Sequence, residues 1–274
     1  MLELDERIEM ALREDIGDGD ITTSSIMKTS HRATANLIAK ENFILAGIDI
    51  FQQVYKKLDQ KLKLSKHFAD GDEVNKGSII GEVSGEVASI LKGERVALNF
   101  LQRLSGIATL THKFVTKVKS YPVKILDTRK TTPGWRSQEK YAVKMGGGEN
   151  HRLGLFDAVL IKNNHIRAAG GIGKAVQRVR DQVPDGFKIE IETRNLEDVK
   201  EALDSGVDTI MLDNMGIEMM REAVTLVNKK VLVEASGNIT LDNVEEVART
   251  GVDFISVGAL THSARAVDVH LTVI

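Results

Sequence analysis

The chain has 274 residues, 42% of them hydrophobic and 28% charged, and a formal net charge of −2. That is the composition of an ordinary globular protein with one large or two smaller domains, and it lacks the global basic field that attracts nucleic acid. There is no cysteine, which excludes disulfides and thiolate metal sites and suits a reducing, cytoplasmic setting.

The opening segment, 1–15, is acidic and does not read as a secretory signal. Leu4, Ile8, Ala11 and Leu12 fall at helical spacing and predict an amphipathic helix, broken at Asp18-Gly19-Asp20. From 33 to 85 the pattern shortens into strand-like pieces punctuated by glycine. Residues 70–77 followed by 79–85 read as consecutive hairpins, a pattern also found in biotinyl and lipoyl carrier domains. Those domains present a modified lysine at a hairpin tip, whereas the Ser84-Gly85-Glu86 turn offers none, so the segment is read as structural. Residues 94–119 are helical in pattern, with an interruption expected near Ser105-Gly106, and form the seam between two domains. No apolar run approaches the roughly 20 residues needed to span a bilayer.

Beyond the seam, short apolar strands recur at 123–126, 158–161, 189–191, 209–212, 231–233 and 254–257. Amphipathic stretches such as 195–205 and 241–250 lie between most of them, so the pattern predicts a parallel sheet. The residues just past the strands are Arg129 and Lys130, then Lys162, Glu192, Asp213, Ser236-Gly237 and Gly258. From Lys162 onward the steps are 30, 21, 23 and 22 residues, about one βα unit each. In a β/α barrel such positions converge on the C-terminal rim. Six strands are visible rather than eight, which predicts an incomplete barrel; a doubly wound open sheet is the alternative.

Three strings concentrate the chemistry. Asp127-Thr128-Arg129-Lys130-Thr131-Thr132-Pro133-Gly134 follows the first strand. Gly146-Gly147-Gly148-Glu149-Asn150-His151-Arg152 fills the long first gap, and Ile161-Lys162-Asn163-Asn164-His165 follows the second strand. Arg as a planar fork and Lys as a point charge suit carboxylate and phosphate oxygens, so the strings predict a pocket for a small, highly anionic ligand. Glu192 and Asp213 end adjacent strands and are candidates for an acid–base pair or for Mg²⁺, which takes hard oxygen ligands and keeps much of its water. They could equally pair with Lys162 or Arg129. Ser236-Gly237-Asn238 and Gly258-Ala259 stand where barrels often bind phosphate. Arg103, on the linking helix, reads from the residues alone as an exposed helical arginine.

Taken together, these strings resemble quinolinate phosphoribosyltransferase, the decarboxylating family of NAD synthesis. The resemblance covers nearly the whole chain. It includes Arg13-Glu14-Asp15-Ile16-Gly17-Asp18-Gly19-Asp20, Leu212-Asp213-Asn214, Glu234-Ala235-Ser236-Gly237 and Ser256-Val257-Gly258-Ala259-Leu260-Thr261-His262-Ser263. It implies an α/β fold, with an N-terminal α/β sandwich over 1–105 and an incomplete, six- to seven-stranded β/α barrel over 106–274, the last residues packing back on the first domain. It also implies a homodimer, or a hexamer built from it, with Arg103 donated across the interface. Arg129, Arg152 and Lys162 match quinolinate-site positions, with Thr128, Lys130 and His151 beside them. Glu192 and Asp213 match the carboxylates near the ribose and Mg²⁺, held directly or through water. Ser236, Gly237, Asn238, Val257, Gly258, Ala259 and His262 match the phosphate-binding loops. Lys130, Lys162, Glu192 and Asp213 are the catalytic candidates.

Two positions depart from the family pattern. Asn163 stands where Asp is common, and Trp135 where a smaller aliphatic residue is usual. Three rival enzyme readings remain at this level: a nicotinate-using transferase, a relative linked to molybdenum transport, and a sugar-phosphate isomerase or lyase. No nucleic-acid or membrane partner is expected.

Overall fold

The computed structural model describes residues 4–27, 31–184 and 186–274. Residues 1–3 of the acidic opening segment lie outside the described residues. In chain order the first elements are α1 (Leu4–Ile16), α2 (Ile21–Ile26), β1 (Arg32–Ala39), β2 (Phe43–Ile44), α3 (Ile48–Leu58), β3 (Lys63–Lys66), β4 (Glu73–Val74), β5 (Ile79–Glu86) and α4 (Val87–Val118). They are followed by β6 (Lys124–Leu126), α5 (Arg136–Met145), β7 (Val159–Ile161), α6 (Asn163–Ala169), α7 (Ile172–Arg180), β8 (Ile189–Thr193), α8 (Leu196–Asp204), β9 (Thr209–Asp213) and α9 (Ile217–Val227). The chain closes with β10 (Leu232–Ser236), α10 (Val244–Ala248), β11 (Phe254–Ser256), α11 (Ala259–His262) and β12 (Val269–Val273). None of the described helices is long and apolar enough to cross a membrane.

The chain divides into two compact units. The first comprises Met1–Leu110, Pro133–Gly147 and Ala264–Ile274; the second comprises Thr111–Thr132 and Gly148–Ser263.

In the first unit an antiparallel sheet runs β12-β1-β5-β3. Alternation places Ala35, Leu37 and Ala39 of β1 in the core, as expected of a strand with one buried face. Helix α3 buries Ile48, Ile50, Phe51, Val54 and Tyr55, and the Phe51 and Tyr55 rings meet edge-on at 5.2 Å. The segment read as consecutive hairpins pairs differently. Strand β4 pairs with β2, and β5 pairs with β1 and β3. Ser84, Gly85 and Glu86 lie inside β5 rather than at a turn, so their polar character marks a strand end and not a hairpin tip.

The expected break at Ser105-Gly106 is absent: α4 is continuous through it. Ser105 is fully buried and its hydroxyl accepts from the Ala46 amide at 3.0 Å. A side-chain carbon at Gly106 would lie 2.1 Å from the Arg265 carbonyl oxygen. The glycine admits a neighbouring backbone rather than ending a helix.

The second unit is built on a parallel six-stranded sheet ordered β6-β11-β10-β9-β8-β7. All six strands expected from the sequence form, within three residues of their expected limits. The order is sequential from β7 to β11, and the first strand, β6, pairs with the last, β11. A doubly wound sheet would reverse its order in the middle, so this is an incomplete barrel, open between β6 and β7. Helix α8 starts where Asn195 accepts a hydrogen bond from the Asp198 amide at 2.8 Å, a standard side-chain cap.

Candidate active site

Strand alternation builds the cavity. Leu160 on β7, Glu192 on β8, Met211 and Asp213 on β9, Ser236 on β10 and Ser256 on β11 line one space with Lys162 and Asp127, Thr128, Arg129, Lys130, His151 and Arg152. Its volume is about 170 Å³. Residues at and just beyond all six strands meet there, so the sheet curls around it. Nine of the sequence-derived candidates line this cavity together: Thr128, Arg129, Lys130, His151, Arg152, Lys162, Glu192, Asp213 and Ser236.

Asp127, at the end of β6 and fully buried, organises the cationic side. Its carboxylate accepts from the His151 amide at 2.9 Å and from Asn150 Nδ2 at 2.6 Å. The glycine-rich segment is thereby tied to the first strand. The Thr128 hydroxyl accepts from the Lys130 amide at 3.0 Å, and the Lys130 carbonyl accepts from the Thr261 hydroxyl at 2.8 Å. Arg152 donates to the Ala158 carbonyl at 3.3 Å. Burial, and then the neighbouring Arg129 charge, press its guanidinium below the ordinary value. Two arginines are therefore held close enough to repel, an arrangement that favours an anion between them.

Lys162 is trapped between the end of β7 and the start of α6. Its amide donates to His165 Nδ1 at 2.9 Å, while its ammonium reaches Glu192 Oε1 at 2.8 Å. Glu192 Oε2 accepts from both the Asn163 amide and Asn163 Nδ2, each at 3.0 Å. A carboxylate at a helix N-terminus satisfies an orphan N–H and meets the favourable end of the helix dipole. Asn163 Nδ2 also lies 3.3 Å from Asp213 Oδ2. The unusual asparagine is thus a neutral donor bridging two carboxylates. Burial, then the Glu192 charge, raise the Asp213 carboxyl above its ordinary value.

The loops after the last two strands frame this rim. Gly237 has φ +99°, and a side-chain carbon there would fall 2.3 Å from Asn214 Oδ1. Asn238, itself at φ 53°, donates to the same oxygen at 3.0 Å. A carbon at Gly258 would stand 3.0 Å from Lys130 Cδ and 3.1 Å from His262 Nε2. Gly237, Asn238, Val257 and Gly258 belong to these loops, and Ala259 and His262 to α11 beyond them, without lining the cavity.

Arg103 stands in the first unit. Its guanidinium donates to Glu139 Oε1 at 2.7 and 3.3 Å and to the Ala264 carbonyl at 2.9 Å. Since Glu139 is fully buried, Arg103 is no solvated helical charge. Trp135 stacks on Phe100 at 4.8 Å in the same unit, which accounts for the large residue after Pro133-Gly134.

Residues 20–105 match the model for the quinolinate phosphoribosyl transferase N-terminal domain, and 107–272 match that for its C-terminal domain. The chain belongs to the quinolinate phosphoribosyltransferase family. It is an enzyme of the phosphoribosyltransferase class. A mitochondrial quinolinate phosphoribosyltransferase (decarboxylating) of Nicotiana tabacum is 45% identical, over 99% of this chain and 82% of its own. A chloroplastic nicotinate-nucleotide pyrophosphorylase (carboxylating) of Arabidopsis thaliana is 46% identical, over 97% of this chain and 81% of its own. The solved nicotinate-nucleotide pyrophosphorylase of Francisella tularensis superposes with a TM-score of 0.96 at 44% identity, covering 99% and 96% of the two chains.

Sequence reading singled out Glu192 and Asp213 but passed over Glu190, two residues earlier on the same face of β8. The Ile189-Glu190-Ile191-Glu192 alternation was the available signal. His151 Nε2 lies 2.8 Å from Glu190 Oε2 and 3.6 Å from Glu234 Oε2. Among the described residues, His151, Glu190 and Glu234 are grouped closely enough to share one ligand.

Proposed function

We propose that this enzyme transfers the phosphoribosyl group of phosphoribosyl pyrophosphate to quinolinate with loss of CO2. The products are nicotinate mononucleotide and pyrophosphate, as in de novo NAD synthesis. The observation that carries the reading is the composition of one cavity. Arg129, Lys130, His151, Arg152 and Lys162 line it together with Glu192 and Asp213. The names of the family's members supply the substrates.

Quinolinate is a dianion and its co-substrate carries several more charges. Two unit charges 4 Å apart repel by about 4 kcal/mol at an effective dielectric near 20. We assign Arg129, His151, Arg152 and Lys162 to the two quinolinate carboxylates, with Thr128 and Lys130 beside them. Ser236, Gly237, Asn238, Val257, Gly258, Ala259 and His262 are assigned to the phosphate loops. As the pyridine nitrogen attacks the ribose carbon and pyrophosphate departs, positive charge grows on the sugar. Glu192 is placed to stabilise it. The N-alkylated ring is then the better electron sink: the 2-carboxylate leaves as CO2, and the electron pair of the broken bond stays on ring carbon 2 and takes up a proton from water, without a covalent protein nucleophile.

The donor set suits a hard cation: Glu192 and Asp213 are carboxylates bridged by a neutral amide, with the Lys162 ammonium on Glu192. Both Glu192 oxygens already accept donors, which favours Mg²⁺ held partly through water. When bound, Mg²⁺ offsets the pyrophosphate charge. We further read the enzyme as a cytoplasmic homodimer, or a hexamer built from that dimer, in which Arg103 completes the partner's quinolinate site. Glu139 would then hold its guanidinium in place.

The discriminating assay supplies phosphoribosyl pyrophosphate, Mg²⁺ and either quinolinate or nicotinate, and follows CO2 and nicotinate mononucleotide. Product with CO2 from quinolinate is expected. Product from nicotinate alone would overturn the assignment.

A further inference from the structure

Below the rim, the barrel interior holds a chain of polar groups behind His151, of which Glu190, Glu234 and Ser256 have no role in the transfer as described above. The Ser256 hydroxyl on β11 donates to Glu234 Oε1 on β10 at 2.5 Å. Glu234 is 1% exposed. Its other oxygen faces His151 Nε2 at 3.6 Å, and the same nitrogen meets Glu190 Oε2 on β8 at 2.8 Å. The second Glu190 oxygen, Oε1, is buried without a donor. Two carboxylates, on β8 and β10, thus converge on one imidazole nitrogen, and Ser256 on a third strand holds one of them.

We propose that Glu234 and Ser256 are positioning residues that fix the His151 imidazole through Glu190, with its Nε2 turned into the barrel. The proposal rests on the reading of His151 as a quinolinate contact. An isolated histidine on a loop would sample several rotamers, and freezing them at binding would weaken affinity. A ring anchored by carboxylates is oriented in advance, much as a carboxylate orients a ligating or catalytic histidine elsewhere.

Glu234 works here as a neutral group. Two buried carboxylates in contact cannot both ionise cheaply. Burial and the Glu190 charge push the Glu234 carboxyl well above the ordinary range. As an acid it receives the Ser256 hydroxyl on one oxygen and donates from the other to Glu190, whose stranded oxygen needs a donor. Glutamine reproduces that pattern, accepting through its carbonyl and donating through its amide. Alanine does not.

The test compares Glu234→Gln, Glu234→Ala and the milder Ser256→Ala in the full-length enzyme. Steady-state kinetics with quinolinate is combined with the ¹⁵N-histidine spectrum, in which a His151→Ala variant identifies the His151 signal. Glu234→Ala is expected to raise KM for quinolinate about tenfold, to leave kcat and KM for phosphoribosyl pyrophosphate within about threefold, and to change the His151 tautomer signature. Ser256→Ala should shift both readouts in the same direction by less. Glu234→Gln should stay within about twofold of the parent and keep the parent spectrum.

An unchanged KM and unchanged His151 signal in Glu234→Ala overturns the proposal, as does damage by glutamine equal to that by alanine. If Glu234→Ala does not fold, Ser256→Ala and Glu234→Gln carry the test. If His151→Ala leaves KM for quinolinate unaltered, the quinolinate role of His151 fails. The spectrum then still decides whether Glu234 holds the ring.

Discussion

Arg152→Ala isolates the chemistry of the cationic wall. In the free enzyme Arg152 donates to a carbonyl at 3.3 Å, while burial and the like charge of Arg129 outweigh the attraction of Glu190, Asp157 and Glu192. Removing it therefore relieves repulsion and the cost of burial while losing a weak hydrogen bond and those attractions, so the melting temperature should move by no more than a couple of degrees. With quinolinate bound the balance reverses, because the arginine then offsets a carboxylate. A paired, hydrogen-bonded charge in such a site contributes about 2–4 kcal/mol. At 1.36 kcal/mol per tenfold, kcat/KM for quinolinate should fall roughly 30- to 900-fold. Arg152→Lys keeps the charge but not the planar fork and should fall between. The measurement is initial-rate kinetics at saturating phosphoribosyl pyrophosphate and Mg²⁺, with thermal unfolding of the same samples. A folded Arg152→Ala enzyme within about threefold of the parent would refute the wall as a carboxylate clamp.

Further expectations concern charge and packing. Asp213→Asn should weaken the Mg²⁺ dependence of the rate, and an unchanged metal titration would count against Asp213 in metal binding. The same variant should be more stable than the parent at pH 7. The folded-state Asp213 pKa lies above its ordinary value of 3.8, so the ionised group costs stability at neutral pH. That cost disappears as pH falls through the raised pKa towards 3.8, and the two melting curves should converge in acid. Gly106→Ala forces a carbon onto the Arg265 carbonyl at 2.1 Å; a loss of about 1–3 kcal/mol is expected, read as a lower denaturant midpoint. Gly237→Ala combines φ +99° with a 2.3 Å approach to Asn214. It should raise KM for phosphoribosyl pyrophosphate more than KM for quinolinate, and equal effects would argue against a phosphate role for that loop.

Local pattern made much of the second unit legible. Six apolar runs at βα spacing, five followed by a polar residue and the last by Gly258, are a one-dimensional record of a barrel rim, and the strands appeared where the runs are. The same alternation carried Glu192, Asp213 and Ser236 to the cavity. Helix α5 was missed because its charged surface gives a weak apolar stripe and it interrupts the regular strand–helix rhythm. Ser105-Gly106 misled because glycine's cost to a helix is a local signal, whereas its reason, the Arg265 carbonyl, comes from 159 residues further along the chain.

The sequence by itself determined the chemistry available: three cationic strings, two rim carboxylates and glycines where loops must pass closely. Side-chain period and βα spacing are encoded residue by residue, so they survive without coordinates. Tertiary structure decided the partnerships. That Asn163 bridges Glu192 and Asp213, that Asp127 anchors the His151 loop, and that Glu190 and Glu234 meet at one imidazole nitrogen all depend on strands coming together across a curled sheet. No spacing along the chain records those distances, because they arise only when the barrel closes its interior.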